Sequence, residues 1–119
     1  MKLVIKGEYP TLNEIIKASK SHYMAYANQK KDFTDLTMIY TKNKPKIEGL
    51  NDYTFVWYRK TKRADPDNVS VGQKYIFDGL IKGGRLENDG WKQVNSITHK
   101  FKVDKKKPRV EIYISEVTE

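Results

Sequence analysis

Alternating apolar and polar residues predict four β-strands along this chain. Over residues 2–7, Leu3 and Ile5 alternate with polar neighbours, which is typical of a strand with one buried face. Residues 53–58 are aromatic and β-branched and give the strongest strand signal in the sequence. Two closing strands are predicted over residues 91–101 and 109–115, joined by a polar segment at 104–108.

The long interval between the first two strands predicts helix. Residues 12–40 are helix-compatible, and Thr11 or Asn13 can cap the N-terminal end of this region. Pro45 follows its end, because proline disfavours helical conformation in the residue before it. In its second half, a stripe with helical spacing is formed by Phe33, Leu36, Ile39 and Tyr40. The stripe indicates the buried side of this helix.

A shorter helix is predicted after the central strand. Residues 70–73 match a capping box, so we place the start of this helix at Ser70. The helix is expected to end at Gly83 and Gly84. Its apolar side is formed by Ile76, Phe77 and Leu80.

The element order β-α-α-β-α-β-β predicts the fold class. We expect an α/β (α+β) fold, a single domain over residues 1–119 with a small mixed sheet and helices packed on one face.

Composition limits the cellular setting and the class of partner. The 119 residues carry a formal net charge of +8 and no cysteine, which excludes disulfides, thiolate metal sites and a cysteine nucleophile. The first residues are too short and too charged for a signal peptide, and no apolar run approaches the length of a membrane span. We therefore expect a cytoplasmic protein with no membrane partner, and the basic charge favours nucleic acid.

An acidic segment interrupts this basic sequence. Asp65 and Asp67 flank Pro66, and residues two apart in an extended segment point to the same side, so both carboxylates can face one cation. Asp89 follows after a helix and a return, which we expect to bring it beside the first pair. Crowded carboxylates repel one another, and Mg²⁺ favours one or two carboxylates together with waters and phosphates. The alternative is that 65–68 and 88–90 are ordinary turns or helix caps.

Lys74 and Asp78 are four residues apart on the shorter predicted helix and share one face. In one interpretation they form a solvated ion pair that contributes roughly 0.2–0.5 kcal/mol. In the other, Lys74 reaches the scissile phosphate or orients the attacking water, and Asp78 supports it. His22 and His99 have no metal-ligand spacing relative to each other, and we expect both to be structural.

Basic residues cluster around the acidic segment. Arg59, Lys60, Lys62 and Arg63 directly precede Asp65, where the backbone phosphates of a nucleic acid would pass. A single cluster is usually a solvated loop, but several around an acidic pair favour a phosphate-contacting surface. The other clusters lie at residues 30–31, 42–46 and 105–109.

The acidic segment and the helix after it resemble the RusA family of Holliday-junction resolvases. The resemblance covers nearly the whole chain in order, and 9–13 is similar to an early Pro-x-x-Asn element of that family. The interval from Asn68 to Asp78 is longer than in some members, and we expect the extra residues to precede the helix. The similar residues are Asp65-Pro66-Asp67-Asn68, Lys74, Asp78-Gly79-Leu80 and Asn88-Asp89.

The resemblance implies an α/β homodimer that uses Mg²⁺, with Mn²⁺ as a substitute, to nick opposing strands of a four-way DNA junction. It implies that Asp65, Asp67 and Asp89 hold the metal and that Lys74 is the essential lysine. Supporting roles are implied for Asp78, Asn68 and Asn88, of which Asn88 is a neutral ligand at most. A bacterial, prophage or phage origin is implied as well.

Two other functions stay open from the residues themselves. One is a metal-dependent nuclease that acts on flaps, forks or RNA rather than on four-way junctions. The other is a basic nucleic-acid-binding module whose acidic cluster is structural, which would bind in a salt-dependent way and leave phosphodiesters intact.

Overall fold

Four strands form one mixed sheet whose spatial order differs from their order in the sequence. In the computed structural model, which describes residues 1–118, the strands lie in the order β1-β4-β2-β3. β4 is antiparallel to both of its neighbours, whereas β2 and β3 are parallel, so β1 and β3 are the edges. The strands are β1 (Lys2–Lys6), β2 (Asn51–Arg59), β3 (Val94–Val103) and β4 (Arg109–Glu116).

Helices pack on one face of this sheet, which confirms the predicted α/β (α+β) fold class. Within residues 1–118, none of the helices is long and apolar enough to cross a membrane. The helices are α1 (Leu12–Ser21), α2 (Tyr23–Thr41), α3 (Pro66–Ser70) and α4 (Gln73–Lys82).

An aromatic core fills the space between the sheet and the helices. Alternate residues of β2, Tyr53, Phe55 and Trp57, are buried on the helix side, as a strand with a side-chain period of two requires. The rings of Phe55 and Trp57 are stacked with centroids 5.7 Å apart, and Phe77 of α4 contacts Phe55 edge-on at the same distance. Aromatic pairs of this kind add about 0.5–1.5 kcal/mol each beyond the burial of their area.

The region predicted as one helical stretch consists of two helices. Thr11 caps α1 as expected, and its partner in the capping box is Glu14. His22 is extended, with φ −164° and ψ 141°, and interrupts the helix. Its ring Nδ1 accepts a hydrogen bond of 3.1 Å from the Met24 amide and so caps α2. The predicted structural role of His22 is therefore confirmed.

The predicted apolar stripe of α2 is only half correct. Phe33 and Leu36 pack against the core, but Ile39 is 61% exposed. The fully buried side of α2 consists of Thr34, Thr37 and Thr41. The hydroxyls of Thr37 and Thr41 donate to the carbonyls of Phe33 and Thr37 at 3.0 and 2.8 Å, which satisfies their hydrogen bonds inside the helix.

The segment between β2 and α4 corrects the predicted helix start. α3 begins at Pro66, a residue favoured in the first helical position, and Gly72 precedes α4. Ser70 does not form a capping box, since its hydroxyl donates to the Asp67 carbonyl at 3.3 Å. Gly72 lies where a Cβ would be 2.9 Å from Tyr9 and 3.0 Å from Trp57, so close packing decides this boundary. The residues between Asn68 and α4 are therefore partly helical, because α3 extends to Ser70.

The two closing strands are not neighbours, because β2 lies between them. The connection crosses the C-terminal end of β2, where the Asp104 amide donates to the Arg59 carbonyl at 2.8 Å. β3 thereby remains at the outer edge of the sheet, paired on one side only.

Candidate functional site

The crossover from β2 to β3 determines where the predicted site residues lie. Because these strands are parallel, the loop that leaves β2 and the loop that enters β3 are at opposite ends of the pair. Pro66 lines a cavity of about 260 Å³ together with Phe101 and Val103, at the C-terminal end of β3. Asp65 and Asp67 are therefore at the C-terminal end of the pair.

Asp89 lies at the other end. It belongs to the loop before β3, where the Asn51 amide at the start of β2 donates to the Gln93 carbonyl at 3.0 Å. β2 has nine residues, and eight steps of about 3.3 Å separate its two ends by roughly 26 Å. The expectation that helix and return bring Asp89 beside the first pair is wrong for one chain, because a parallel crossover returns to the start of the next strand. Within residues 1–118, no three His, Asp or Glu side chains are grouped to hold a metal.

The sequence predicts that Asp65 and Asp67 share one extended segment, and this prediction is wrong. Asp65 is extended, with φ −68° and ψ 151°, whereas Asp67 is in the first turn of α3. The Asp65 carbonyl accepts from the Asn68 and Val69 amides at 3.0 and 3.1 Å, but its carboxylate makes no capping bond.

Both carboxylates of this pair are on exposed residues. In the part of the chain that the structure describes, neither takes part in an ion pair or a side-chain hydrogen bond. Two solvent-facing carboxylates fit the preference of Mg²⁺ for a few carboxylates completed by waters and phosphates. The donor set at this end therefore fits a magnesium ion, or Mn²⁺ in its place.

Lys74 and Asp78 form the predicted pair on α4, with Nζ 3.4 Å from Oδ1. The Lys74 side chain is 71% exposed and that of Asp78 is 21% exposed. Among the described residues, Asp78 Oδ2 is buried without a hydrogen-bond partner. Lys74 lies in the first turn of α4, on the side of this helix that faces α2.

The face of α4 that carries this pair borders a basic cleft of about 490 Å³ against α2. This cleft was not predicted from the sequence, although Lys74, Asp78 and Lys82 follow the helical i, i+4, i+8 spacing that puts them on one side of α4. Lys31 lies 2.8 Å and Lys82 3.7 Å from Asp35, and these contacts lower the pKa of Asp35. The lysines that line the cleft are Lys30, Lys31, Lys74 and Lys82.

The basic run after β2 divides into one anchored residue and three exposed ones. The Arg59 guanidinium donates to the Tyr9 carbonyl at 3.0 Å and lies 3.5 Å from Glu8, and its side chain is only 15% exposed. Lys60, Lys62 and Arg63 are exposed. Arg59 therefore holds the loop against the core, and the other three are the cations available to a phosphate backbone beside Asp65.

His99 has the structural role predicted for it. Trp57 Nε1 donates to His99 Nδ1 at 2.9 Å, so the proton of the neutral ring is on Nε2, which lies 3.1 Å from Gln73 Oε1. Burial lowers the pKa of His99 below its usual value. The neutral ring links β2, β3 and α4.

At the other end of the β2–β3 pair, Asn88 contacts the backbone of Asp89, and Tyr53 lies close enough to feel the charge of its carboxylate. The side-chain oxygen of Asn88 accepts from the Asp89 amide at 2.9 Å, so Asn88 orders the turn. Burial, followed by the negative charge of Asp89, raises the pKa of Tyr53 to about 12. Within residues 1–118, the buried Tyr53 hydroxyl has no hydrogen-bond partner. Its proton is thus retained at neutral pH next to Asp89.

Comparison with known proteins identifies no family for this chain. A scan against protein-family models and a search of curated proteins both found no match.

Proposed function

We propose that this chain is a Mg²⁺-dependent endodeoxyribonuclease that cuts branched DNA, with the four-way junction as its main substrate. The proposal includes a homodimer and a cytoplasmic setting in a bacterium or its phage. It rests on one juxtaposition. The carboxylates of Asp65 and Asp67, which have no ion-pair partner within residues 1–118, follow the exposed cations Lys60, Lys62 and Arg63 directly in the sequence, in a chain of net charge +8.

This juxtaposition divides the work of cleavage between two kinds of residue. The exposed cations contact backbone phosphates and carry no sequence information, so they position the strand. Asp65 and Asp67 would hold a metal ion against that strand, where it would neutralise phosphate charge and acidify a bound water. Lys74, in the first turn of α4, is the candidate for stabilising the developing negative charge on phosphate.

The test uses a labelled four-way junction, a flap and a linear duplex, each with and without Mg²⁺. Wild-type protein is expected to nick the junction only with Mg²⁺. Asp67→Asn is expected to lose more than about 100-fold of the nicking rate, since even indirect supports of a metal site cost 10–100-fold. Junction binding in the absence of metal should be unchanged or tighter, because one negative charge near phosphate is gone.

A matched control is Asp32→Asn, which neutralises an exposed carboxylate on α2. It should nick at the wild-type rate. Nicking by Asp67→Asn at a rate near wild type would show that the metal assignment is wrong. Binding without nicking under all conditions would identify a non-catalytic nucleic-acid-binding module. Nicking of the flap alone would show that the flap, and not the four-way junction, is the substrate.

A further inference from the structure

A cavity of about 260 Å³ lies where α3 and the loop after β2 meet the C-terminal half of β3. Phe101 and Val103 line it from β3, and Pro66 and Val69 line it from α3. Among the described residues, its uncharged lining is apolar except for Thr61, and its charged lining is entirely cationic. Pockets for drug-sized ligands are larger, at roughly 300–1,000 Å³. The size and the lining therefore suit one flat apolar group that is attached to an anion.

Phe101 supplies an aromatic ring that the described chain covers only in part. It lies opposite Trp57 in the register of β2 and β3, on the helix side of the sheet. The His99 ring is nearly parallel to it, with centroids 6.3 Å apart and 23° between the planes. Phe101 is nevertheless 39% exposed. A supported ring that is still accessible is a platform on which a nucleic-acid base can stack, and every base has a face that suits it.

The cations that line the cavity are not equivalent. Arg59 is engaged in the contacts that hold the loop against the core. The Lys102 ammonium lies 5.9 Å from the centre of the Tyr58 ring, on the face of the sheet opposite the helices. Lys62 is exposed and lines the cavity. Lys62 is therefore the cation available to a phosphate next to a group inside the cavity.

The cavity adjoins the candidate metal ligands. Pro66, which lines it, is the residue between Asp65 and Asp67. A base inside the cavity would be joined through one sugar to the phosphates on its two sides. The covalent structure of the strand therefore brings one of these phosphates toward Lys62 and the other toward the two carboxylates.

A base can enter the cavity only after it leaves the stack of the double helix. Unstacking and unpairing cost free energy in a duplex, and the cost is least for a base that is already unpaired. Branch points, flaps and bulges provide such bases. A pocket for one unstacked base would therefore favour branched DNA over linear duplex without reading its sequence.

We propose that this cavity is a nucleobase site. One unstacked base of the bound strand stacks on Phe101, while Lys62 holds an adjacent phosphate. The base held in this way directs the next phosphate to Asp65 and Asp67. That last step rests on the proposed function, whereas the binding of the base does not.

The test compares two duplexes in the absence of divalent metal. One carries a single extra nucleotide as a bulge, and the other carries an abasic residue at the same place. Wild-type protein should bind the first about 5- to 150-fold more tightly, the range that corresponds to the loss of one base–aromatic stack. Phe101→Ala should bind both duplexes equally, whereas Phe101→Tyr, which keeps the ring, should retain the difference. Fluorescence anisotropy measures these affinities.

Tyr113→Ala is the matched control. Tyr113 is 40% exposed, which is close to the value for Phe101. It lies on the face of the sheet away from the helices, since Ile112 and Ile114 on either side of it are buried in the core. This variant should retain the full difference between the two bulges. Because each protein is compared on two ligands, a general loss of stability would weaken both and would not imitate the expected result.

Equal affinity of wild-type protein for the two bulges, or a difference that persists in Phe101→Ala, would overturn the proposal. The cavity would then take another occupant, such as an apolar side chain of an acidic partner protein. Nicking assays separate this outcome from the proposed function. Discrimination between the bulges without nicking of any DNA would support the base site and contradict the nuclease. Nicking of the junction with Mg²⁺ but without discrimination would support the nuclease and contradict the base site.

Discussion

The contact between α2 and α4 and the outer edge of the sheet at β3 use side-chain size in opposite ways. At the helix contact, Gly79 faces Thr37 so closely that an added Cβ would lie 2.4 Å from the threonine Cβ. At the edge, Phe101 and Ile97 remain about 40% exposed. Small residues occur where two backbones must approach, and large apolar residues stay partly exposed where no element of the described residues 1–118 covers them fully. The closed region therefore determines stability, and the open region is available for binding.

The largest effect is expected at the closed contact. Gly79→Ala would also bring its Cβ within 2.8 Å of the Thr34 carbonyl, a backbone atom that cannot rotate away. We expect a loss of about 3 kcal/mol in the free energy of unfolding, at the upper end for an overpacked core, and a Tm lower by roughly 10 °C. Chemical and thermal denaturation measure both quantities.

The control for this prediction is Gly90→Ala. A Cβ there would be 3.4 Å from the Asn88 side-chain nitrogen, which is ordinary van der Waals contact. Equal Tm values for the two alanine variants would mean that the helices separate easily and that the contact is not closed.

The second effect concerns His99, which lies between the closed core and the open edge. Because burial lowers its pKa, the unfolded chain binds a proton more readily than the folded one. Stability is then complete above the unfolded value of about 6.5 and decreases as the pH falls below it toward the folded value. Protonation also removes the acceptor for Trp57.

Urea denaturation of wild type and His99→Gln between pH 5 and pH 7.5 measures this dependence. The variant should show a flatter stability profile in that window, since the carboxyl groups of both proteins titrate at lower pH. Parallel profiles for the two proteins would show that the His99 ring is protonated as easily in the fold as outside it.

The third effect is small and concerns the edge strand β3. Ile97→Ala should cost under about 1 kcal/mol at concentrations where the chain is monomeric, because much of its side chain is already exposed to water. The same change at Ile76, which is 0% exposed, should cost at least about 2 kcal/mol. A similar cost at both positions would remove the distinction between core and edge.

The smallest effect on stability is expected in the loop after β2. Neutralising Lys60 and Lys62 together, as glutamines, should leave Tm within about 1 °C, since both side chains are exposed. DNA binding should weaken uniformly across sequences, and the slope of log K against log salt should flatten by about 0.9 for each phosphate that the variant no longer neutralises. Fluorescence anisotropy at several salt concentrations measures both.

When this double variant is saturated with DNA, it should nick at nearly the wild-type rate, because the carboxylates of Asp65 and Asp67 are unchanged. Normal binding, or a shift in the position of the cut, would show that these lysines do something other than hold phosphates.

Local signals in the sequence were sufficient for the elements themselves. The alternation around Tyr53, the cap at Thr11 and the glycines at 83–84 specify β2, α1 and the end of α4, because each depends on neighbours a few residues away. The i, i+4 pair of Lys74 and Asp78 was predictable for the same reason. That Asp65 and Asp67 directly follow the basic residues 59–63 can likewise be read from the sequence.

Tertiary structure alone decided which of these pieces meet. The buried side of α2 is a row of threonines rather than the apolar stripe, because α4 presents a glycine there and only short side chains fit. Asp89 is separated from Asp65 and Asp67 because β2 and β3 are parallel, and strand direction is set by contacts between residues far apart in sequence. The same topology leaves β3 at the edge, where Ile97, Phe101 and Val103 remain 39–47% exposed. The spacing between residues can be read along the sequence, but the end of the sheet at which a residue lies depends on how the strands pair.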